Sequence, residues 1–287
     1  MLLSETRFRG GQGIGLLLLG ALIALPIGWV VGESLLYSLG LIGYFAEGFT
    51  LRHWQAAFTT GGLRQSLVYT PLIAGLSTLL ASGLALGLAT WCPDERNRKL
   101  SRGMLCLLLG TPTAVLSLMV DLLLNPGGYV ARVLFHLGVL DSPSQFPPLV
   151  HDLWSLGVIV ALTLHQLPLL TLYFLGLWRT LKIERYCQIA RTLGASSAQC
   201  RWRVVLPMLI GRGRAIIGLC FLFSLGSYEI PLLLGSQSPQ MFSVLTSRHF
   251  GQFDLHQRPQ AFVLATTYIS LVMVLLFVLL RRRRSDG

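Results

Sequence analysis

Six stretches of this chain are long and apolar enough to cross a bilayer, and they leave little else to build with. They cover residues 14–35, 67–91, 104–124, 154–178, 208–234 and 261–280. Each meets the requirement of about 20 mostly apolar residues for a helical span. Only 12% of the residues are charged and mean hydropathy is +0.64, so a water-facing shell for a 287-residue globule is not available. Five of the spans are plain. The fifth is interrupted: from Ala215 only fourteen uncharged residues run before Glu229, and Pro231 follows. Taken alone, that stretch reads equally as a span or as a re-entrant segment. The expected fold is an all-α, polytopic membrane helix bundle of six transmembrane helices.

Basic residues set the expected orientation. With both termini cytoplasmic, only Arg52, Arg64, Arg132, Arg248 and Arg258 lie outside, and the rest of the 23 Lys and Arg lie inside. This is the asymmetry of the positive-inside rule. The same residues account for the net charge of +11. They are spread over short loops rather than gathered on one soluble face, so no nucleic-acid partner is expected, whereas a lipid bilayer is. The first apolar run is too long for a signal peptide and lacks a clear cleavage site, so it reads as a retained span. Cys92, Cys106, Cys187, Cys200 and Cys220 are odd in number and form no C-x-x-C. Placed in spans or on the cytoplasmic side, they are expected to be small packing residues, neither disulfide-bonded nor zinc-bound.

The most specific signal lies between the fourth and fifth spans, where residues 188–207 read QIARTLGASSAQCRWRVVLP. This stretch resembles the cytoplasmic loop of ABC-importer permeases, whose pattern is EAA, three residues, Gly, nine residues, then I-x-LP. Gln188, Ile189 and Ala190 fill the EAA positions, Gly194 the glycine, Val204 the isoleucine, and Leu206 and Pro207 the ending. Spacing is kept in full, with Gln in place of Glu and Ile in place of the first Ala. The chain is thus identified as a member of the MetI-like permeases over roughly residues 44–280, most similar to the branch handling polyamines, thiamine, iron(III) and sulfate.

The resemblance implies a transport subunit that forms the solute path and couples to a separate ATPase, in a bacterial inner membrane. Its implied partners are ABC ATP-binding subunits, a second permease copy or paralogue, and a periplasmic or lipid-anchored solute-binding protein. Residues 1–43 would add a first span, 44–280 would form the permease domain, and 281–287 a basic cytoplasmic tail. Within the coupling loop, 179–207, the resemblance assigns ATPase contact to Gln188, Ile189, Ala190, Arg191, Gly194, Ala195, Val204, Leu206 and Pro207. There, two short helices at an angle would form a knob whose movement, as ATP closes the ATPase pair, shifts the bundle from inward- to outward-facing.

The residues of the loop support such a knob. Ile183, Tyr186, Cys187, Ala190 and Leu193 recur at helical spacing as one apolar stripe, with Glu184, Arg185, Gln188 and Arg191 on the other faces. Gly194 suits a helix C-terminus with positive φ, and Ser196 or Ser197 can cap a second short helix that Pro207 turns into the fifth span. Gln188 can hydrogen-bond but carries no charge. Glu184, one turn earlier, can supply the missing acidic group.

Elsewhere the sequence limits the chemistry. The two lysines, Lys99 and Lys182, follow Arg98 and Leu181, so neither belongs to a P-loop. No H-E-x-x-H and no serine flanked by glycines at −2 and +2 occur. No cofactor and no metal are expected, and His249, Asp254 and His256 have only generic spacing. An ionisable group near the bilayer is costly. Glu33 and Asp121 fall near span ends and are expected to be wetted. Ser227, Glu229 and Pro231 form a possible wall of the translocation path, with Glu229 read as path-lining, as a buried hydrogen-bond acceptor, or as an exposed loop residue.

Three further local features are legible. Thr50 can cap a short helix running through Phe58. Gly83 and Gly87 form a small-x-x-x-small pair, read first as packing within one chain and second as a subunit interface. After the turn at 125–128, Val130, Val133, Leu134 and Leu137 predict a short helix lying on the outer membrane surface or over the bundle mouth. The rival reading of the whole chain is an integral-membrane enzyme or assembly factor without an ATPase partner. It would need more clustered polar groups than His165, Asp121 and Glu229 supply. A passive channel is a third option. The solute is not readable from the residues.

Overall fold

The structure is a computed structural model that describes residues 5–43, 48–59, 62–91, 103–251 and 258–285. Among these residues every regular element is helical. In chain order they are α1 (Glu5–Ser38), α2 (Arg52–Thr59), α3 (Gly62–Trp91), α4 (103–109), α5 (Thr113–Leu124) and α6 (Tyr129–His136). There follow α7 (Leu156–Thr180), α8 (Ile183–Thr192), α9 (Ser197–Cys200), α10 (Leu206–Gly226), α11 (Glu229–Leu234), α12 (Phe242–Phe250) and α13 (Arg258–Ser285). Among the described residues six helical stretches are long and apolar enough to cross a membrane, the number hydropathy predicts, but the third covers Thr113–His136 and the fifth Ser197–Gly226 rather than 104–124 and 208–234. The basic loop holding Arg96, Arg98, Lys99 and Arg102, together with Cys92, lies outside the described residues.

Two compact units partition the chain. The first comprises Met1–Leu63 and Thr246–Met273. Here α1 turns a broad apolar surface outward, with Leu18, Leu22, Leu25 and Trp29 exposed, as suits a helix solvated by lipid. Near its end Ser34 Oγ lies 3.0 Å from Thr266 Oγ1, and the Tyr37 and Phe262 rings stack with centroids 4.4 Å apart. Thr50 takes the capping position expected of it, its Oγ1 accepting from Arg52 N at 3.2 Å.

The second unit comprises Arg64–Leu245 and Val274–Gly287. Its helices are held by two buried apolar clusters. One joins Ala81, Ala85 and Ala89 of α3 to Leu170, Phe174 and Trp178 of α7, Ile183 of α8, and Cys200, Val205, Leu209 and Cys220. The other joins Ile73, Val120, Val158, Leu162, Ile230, Leu234 and Met241. Small residues let the helices close. A Cβ on Gly213 would stand 2.5 Å from Phe174 Cε1, so α10 packs on α7 at a distance only glycine permits. On α3 the close-packed stripe is Ala81–Ala85–Ala89, whereas a Cβ at Gly83 or Gly87 would meet nothing within 4 Å. The glycine pair is therefore not the packing face within this chain. The i, i+4, i+8 alanines are.

Some polar groups between helices pair with one another, as a medium without water favours, while Thr78 Oγ1, Ser82 Oγ, His165 Nδ1 and Gln166 Oε1 are buried without a partner among the described residues. Gln166 Nε2 of α7 donates to Ser224 Oγ of α10, and Thr163 Oγ1 donates to Ser77 O at 3.3 Å. The segment after α11 is fastened to α3: Ser66 Oγ donates to Gln240 O at 2.6 Å, and Phe242 N to Thr70 Oγ1 at 2.8 Å.

Two spans are broken rather than continuous. The third, expected as one helix over 104–124, is interrupted at 110–112, where Pro112 removes a donor and disfavours helix at Thr111. The fifth breaks at Ser227 and Tyr228, before Glu229, and Pro231 then sits in the first turn of α11, where proline is tolerated. The helix expected after 125–128 is present as α6, with Ala131 buried and Tyr129, Val133 and Phe135 exposed.

Candidate functional site

The loop between α7 and α10 is a compact corner. Helix α7 ends at Thr180, and Lys182 adopts the left-handed conformation, with φ 49° and ψ 44°, so that α8 leaves at once in a new direction. At the far end of α8, Gly194 has φ 88°. Its N–H donates to Arg191 O at 3.0 Å and Ala195 N–H donates to Ala190 O at 2.9 Å. This pair of bonds is a Schellman motif, which satisfies carbonyls the helix end would otherwise leave open. Glycine is demanded by the φ alone, since no atom crowds the position.

Ser196 then caps α9 reciprocally: Gln199 N–H donates to Ser196 Oγ at 3.2 Å, and Ser196 N–H donates to Gln199 Oε1 at 2.9 Å. Of the two serines the sequence offered, Ser196 is the cap. The second short helix does not end at Pro207. Instead it runs through a π-turn, Arg201–Val205, directly into α10. Pro207 lacks an N–H and its ring collides with the carbonyl four residues back. A wider turn just before it relieves both problems and keeps the axis continuous. The loop therefore has one sharp corner, at Gly194, and a stiff second arm.

The apolar stripe of α8 divides in two. Ile183, Cys187 and Ala190 pack inward on the α7–α10 cluster. Tyr186, Ile189 and Leu193 form a second face that is 51%, 58% and 82% exposed, and Trp202 on the opposite arm is 72% exposed. Glu184 and Gln188 are exposed one turn apart, and Arg185 and Arg191, six residues apart, are exposed as well. Arg201 lies over the Trp91 ring, with Cζ 5.9 Å from its centroid, which ties the second arm to the end of α3. Of the assigned residues, Gln188, Ile189, Arg191, Gly194 and Pro207 are exposed, while Ala190, Ala195, Val204 and Leu206 are half-buried and fix the corner.

One expectation for this loop is corrected. Cys187 and Cys200 are joined as a disulfide, with Cα atoms 5.9 Å apart. Cys106 is exposed and free, and Cys220 is buried and free. The spacing conceals the pair because it is closed by the corner: Cys187 lies seven residues before Gly194 and Cys200 six after it. Folding the arms at that glycine superposes them. Near-symmetry about a helix-ending glycine is the signal that could have found it.

A second locus lies where the breaks in the third and fifth spans meet. Thr113 Oγ1, at the first residue of α5, donates to the Glu229 carboxylate, at the first residue of α11. Glu229 is exposed, while Ser227 and Pro231 are buried, and Ser227 O accepts from Ser243 Oγ at 2.6 Å. Of the three residues grouped as a path wall, only Glu229 presents its side chain at a surface. Thr113 was missed because nothing in the sequence registers span three against span five. Among the described residues no group of three His, Cys, Asp or Glu stands close enough to hold a metal. Asp254 and His256 lie outside them, and burial holds the His249 imidazole below its usual pKa.

Residues 81–284 match the family model of the binding-protein-dependent transport system inner membrane component. The chain belongs to this family. It is accordingly a multi-pass permease subunit of an ABC importer and not an enzyme: ATP is hydrolysed on a partner chain, and the family works with ATP-binding subunits, a second permease and a solute-binding protein. Among curated relatives, the chain is 27% identical over 262 residues to the sulfate transport system permease protein CysT of Synechocystis sp., covering 90% of this chain and 83% of that one. It is 23% identical over 214 residues to the molybdenum transport system permease protein ModB of Azotobacter vinelandii, covering 74% and 90%. A crystal structure of a bacterial ABC transporter that imports the acidic polysaccharide alginate superposes with a TM-score of 0.71 at 16% identity, covering 97% of this chain and 99% of that one. A second, in complex with an alginate-pentasaccharide-bound periplasmic protein, gives 0.72 at 17%, covering 97% and 96%. These superpositions bear on the fold.

Proposed function

We propose that the α8–α9 corner is the surface on which the ATP-binding subunit seats, on the cytoplasmic side together with both termini. The observation that carries this reading is the outward apolar face of Tyr186, Ile189 and Leu193. Three large apolar side chains at helical spacing on a polar loop are the anchors of a helix laid into a groove. Glu184, Arg185, Gln188 and Arg191 supply the polar rim. With Gln188 in the family's acidic position, the rim at that point offers hydrogen bonds and no charge, so the partner's groove need not carry a matching cation there. ATP-driven closure of the partner pair moves the corner, and the stiff α9–α10 arm carries that movement into the fifth span.

The solute best supported by the relatives is a small tetrahedral oxyanion of the sulfate or molybdate kind. Glu229 then stands at the path as a fixed, hydrogen-bonded group rather than as an attractor of cations. Uptake of labelled sulfate and molybdate by cells expressing the importer tests the solute. Deleting 191–202 tests the corner: the six spans should still insert by their own hydropathy, while ATPase stimulation and transport should be lost. Full stimulation of the ATPase by the deleted protein would refute the assignment.

A further inference from the structure

We propose that Cys187 and Cys200 are a reversible thiol–disulfide switch that sets how stiffly the coupling corner transmits motion. The inference rests on the coupling role given to the corner and adds to it a form of regulation. Its first support is position. The pair bridges the two arms across Gly194, with Cα atoms 5.9 Å apart, within the ordinary span of a disulfide. Its second is what else holds the corner. Beyond Ala190, α8 is tied to the second arm by the Schellman bonds of Gly194 and Ala195, and Leu193 is exposed. Cys187 and Cys200 themselves pack on the α7–α10 cluster, so the bridge adds a covalent tie between the two arms where they meet the bundle, one turn back from those bonds.

Compartment supplies the third support. On the cytoplasmic side thiols are kept reduced, and the disulfides that do form there are mostly transient and redox-sensing. Accessibility gives the order of events. Cys187 is half-buried, whereas Cys200 is 2% exposed, so Cys187 is the sulfur that a small oxidant meets. With hydrogen peroxide, the Cys187 thiolate attacks one oxygen and the O–O bond breaks. Cys187 becomes a sulfenic acid and the first water leaves. Cys200 then attacks that sulfur, the S–S bond forms, and the hydroxyl departs as a second water. Two thiols lose two electrons and two protons, and one peroxide becomes two waters. A dithiol reverses the step by attacking Cys187, releasing Cys200 as a thiol, and closing its own disulfide.

The test uses the full importer in proteoliposomes, with Cys92 and Cys106 replaced by Ser. Transport per ATP hydrolysed is measured after peroxide and again after dithiothreitol. Trypsin cuts after Arg185, Arg191 and Arg201, so the bridge links peptide 186–191 to peptide 192–201 and is read by mass. We expect the linked peptide after peroxide, its loss after dithiothreitol, and a ratio at least about twofold higher in the linked state. C187S and C200S should stay at the reduced value under both treatments. No linked peptide, or a ratio that does not follow the linkage, overturns the switch. The 191–202 deletion run alongside separates the two levels. If it abolishes transport while the ratio ignores the linkage, the switch alone fails; if it leaves transport intact, the coupling role fails as well.

Discussion

Thr113 and Glu229 join the helices that resume after the breaks in the third and fifth spans, the hydroxyl of one donating to the carboxylate of the other. Each sits at the first residue after a break, so one hydrogen bond fixes the register of α5 against α11 where neither backbone is continuous. A carboxylate at a helix start is also favoured by the helix dipole. The bond is thus a structural joint at an exposed point of the proposed path.

Glu229→Gln should leave transport within about twofold of wild type, because the amide oxygen still accepts from Thr113. Glu229→Leu should lower the yield of assembled importer, because Thr113 loses its acceptor and the register of α5 against α11 loses its tie. Measured uptake and assembly yield decide the matter. A loss of transport in the Gln variant with normal assembly would instead give the charge a direct role with solute.

Gly194→Val should uncouple transport more than Gly194→Ala. Leaving glycine at φ 88° costs any side chain about 1–2 kcal/mol, and β-branching adds to it. The check is transport per ATP in reconstituted complexes; equal ratios for the two variants would mean the corner opens without penalty.

Gly213→Val should destabilise the bundle, since the added atoms collide with Phe174, a fully buried ring shared by α7 and α10. Overpacking of this kind costs about 1–3 kcal/mol. A lower midpoint of thermal unfolding in detergent is expected, and a second change, Phe174→Leu, should restore part of it by making room.

The fold was legible wherever hydropathy alone decides. The spans, the interruption near Glu229, the α6 helix and the positive φ at Gly194 all follow from local chemistry. What the sequence concealed are consequences of register. The break before Thr113 has only Pro112 to mark it within an apolar run, and its pairing with Glu229 depends on how two distant spans align. The π-turn at Arg201–Val205 is a collective answer to Pro207 that leaves no composition signal. Gly83 and Gly87 drew attention as a packing pair, but helix rotation places three alanines on the inward face instead. The division of the α8 stripe into packed and exposed halves is also a matter of rotation, visible only once α7 and α10 are in place. The Cys187–Cys200 bridge was misread because the compartment argued against it while the corner geometry brings it about.

The most direct test of the central claim is photo-crosslinking from Ile189 in the assembled importer, with a benzophenone side chain at that position and, as control, at Leu137 after α6. The account predicts an adduct from Ile189 with the mass of one ATP-binding subunit, and none with that subunit from Leu137. An Ile189 adduct to the solute-binding protein, or ATP-binding subunit captured from Leu137 instead, would contradict both the docking surface and the orientation proposed for this chain.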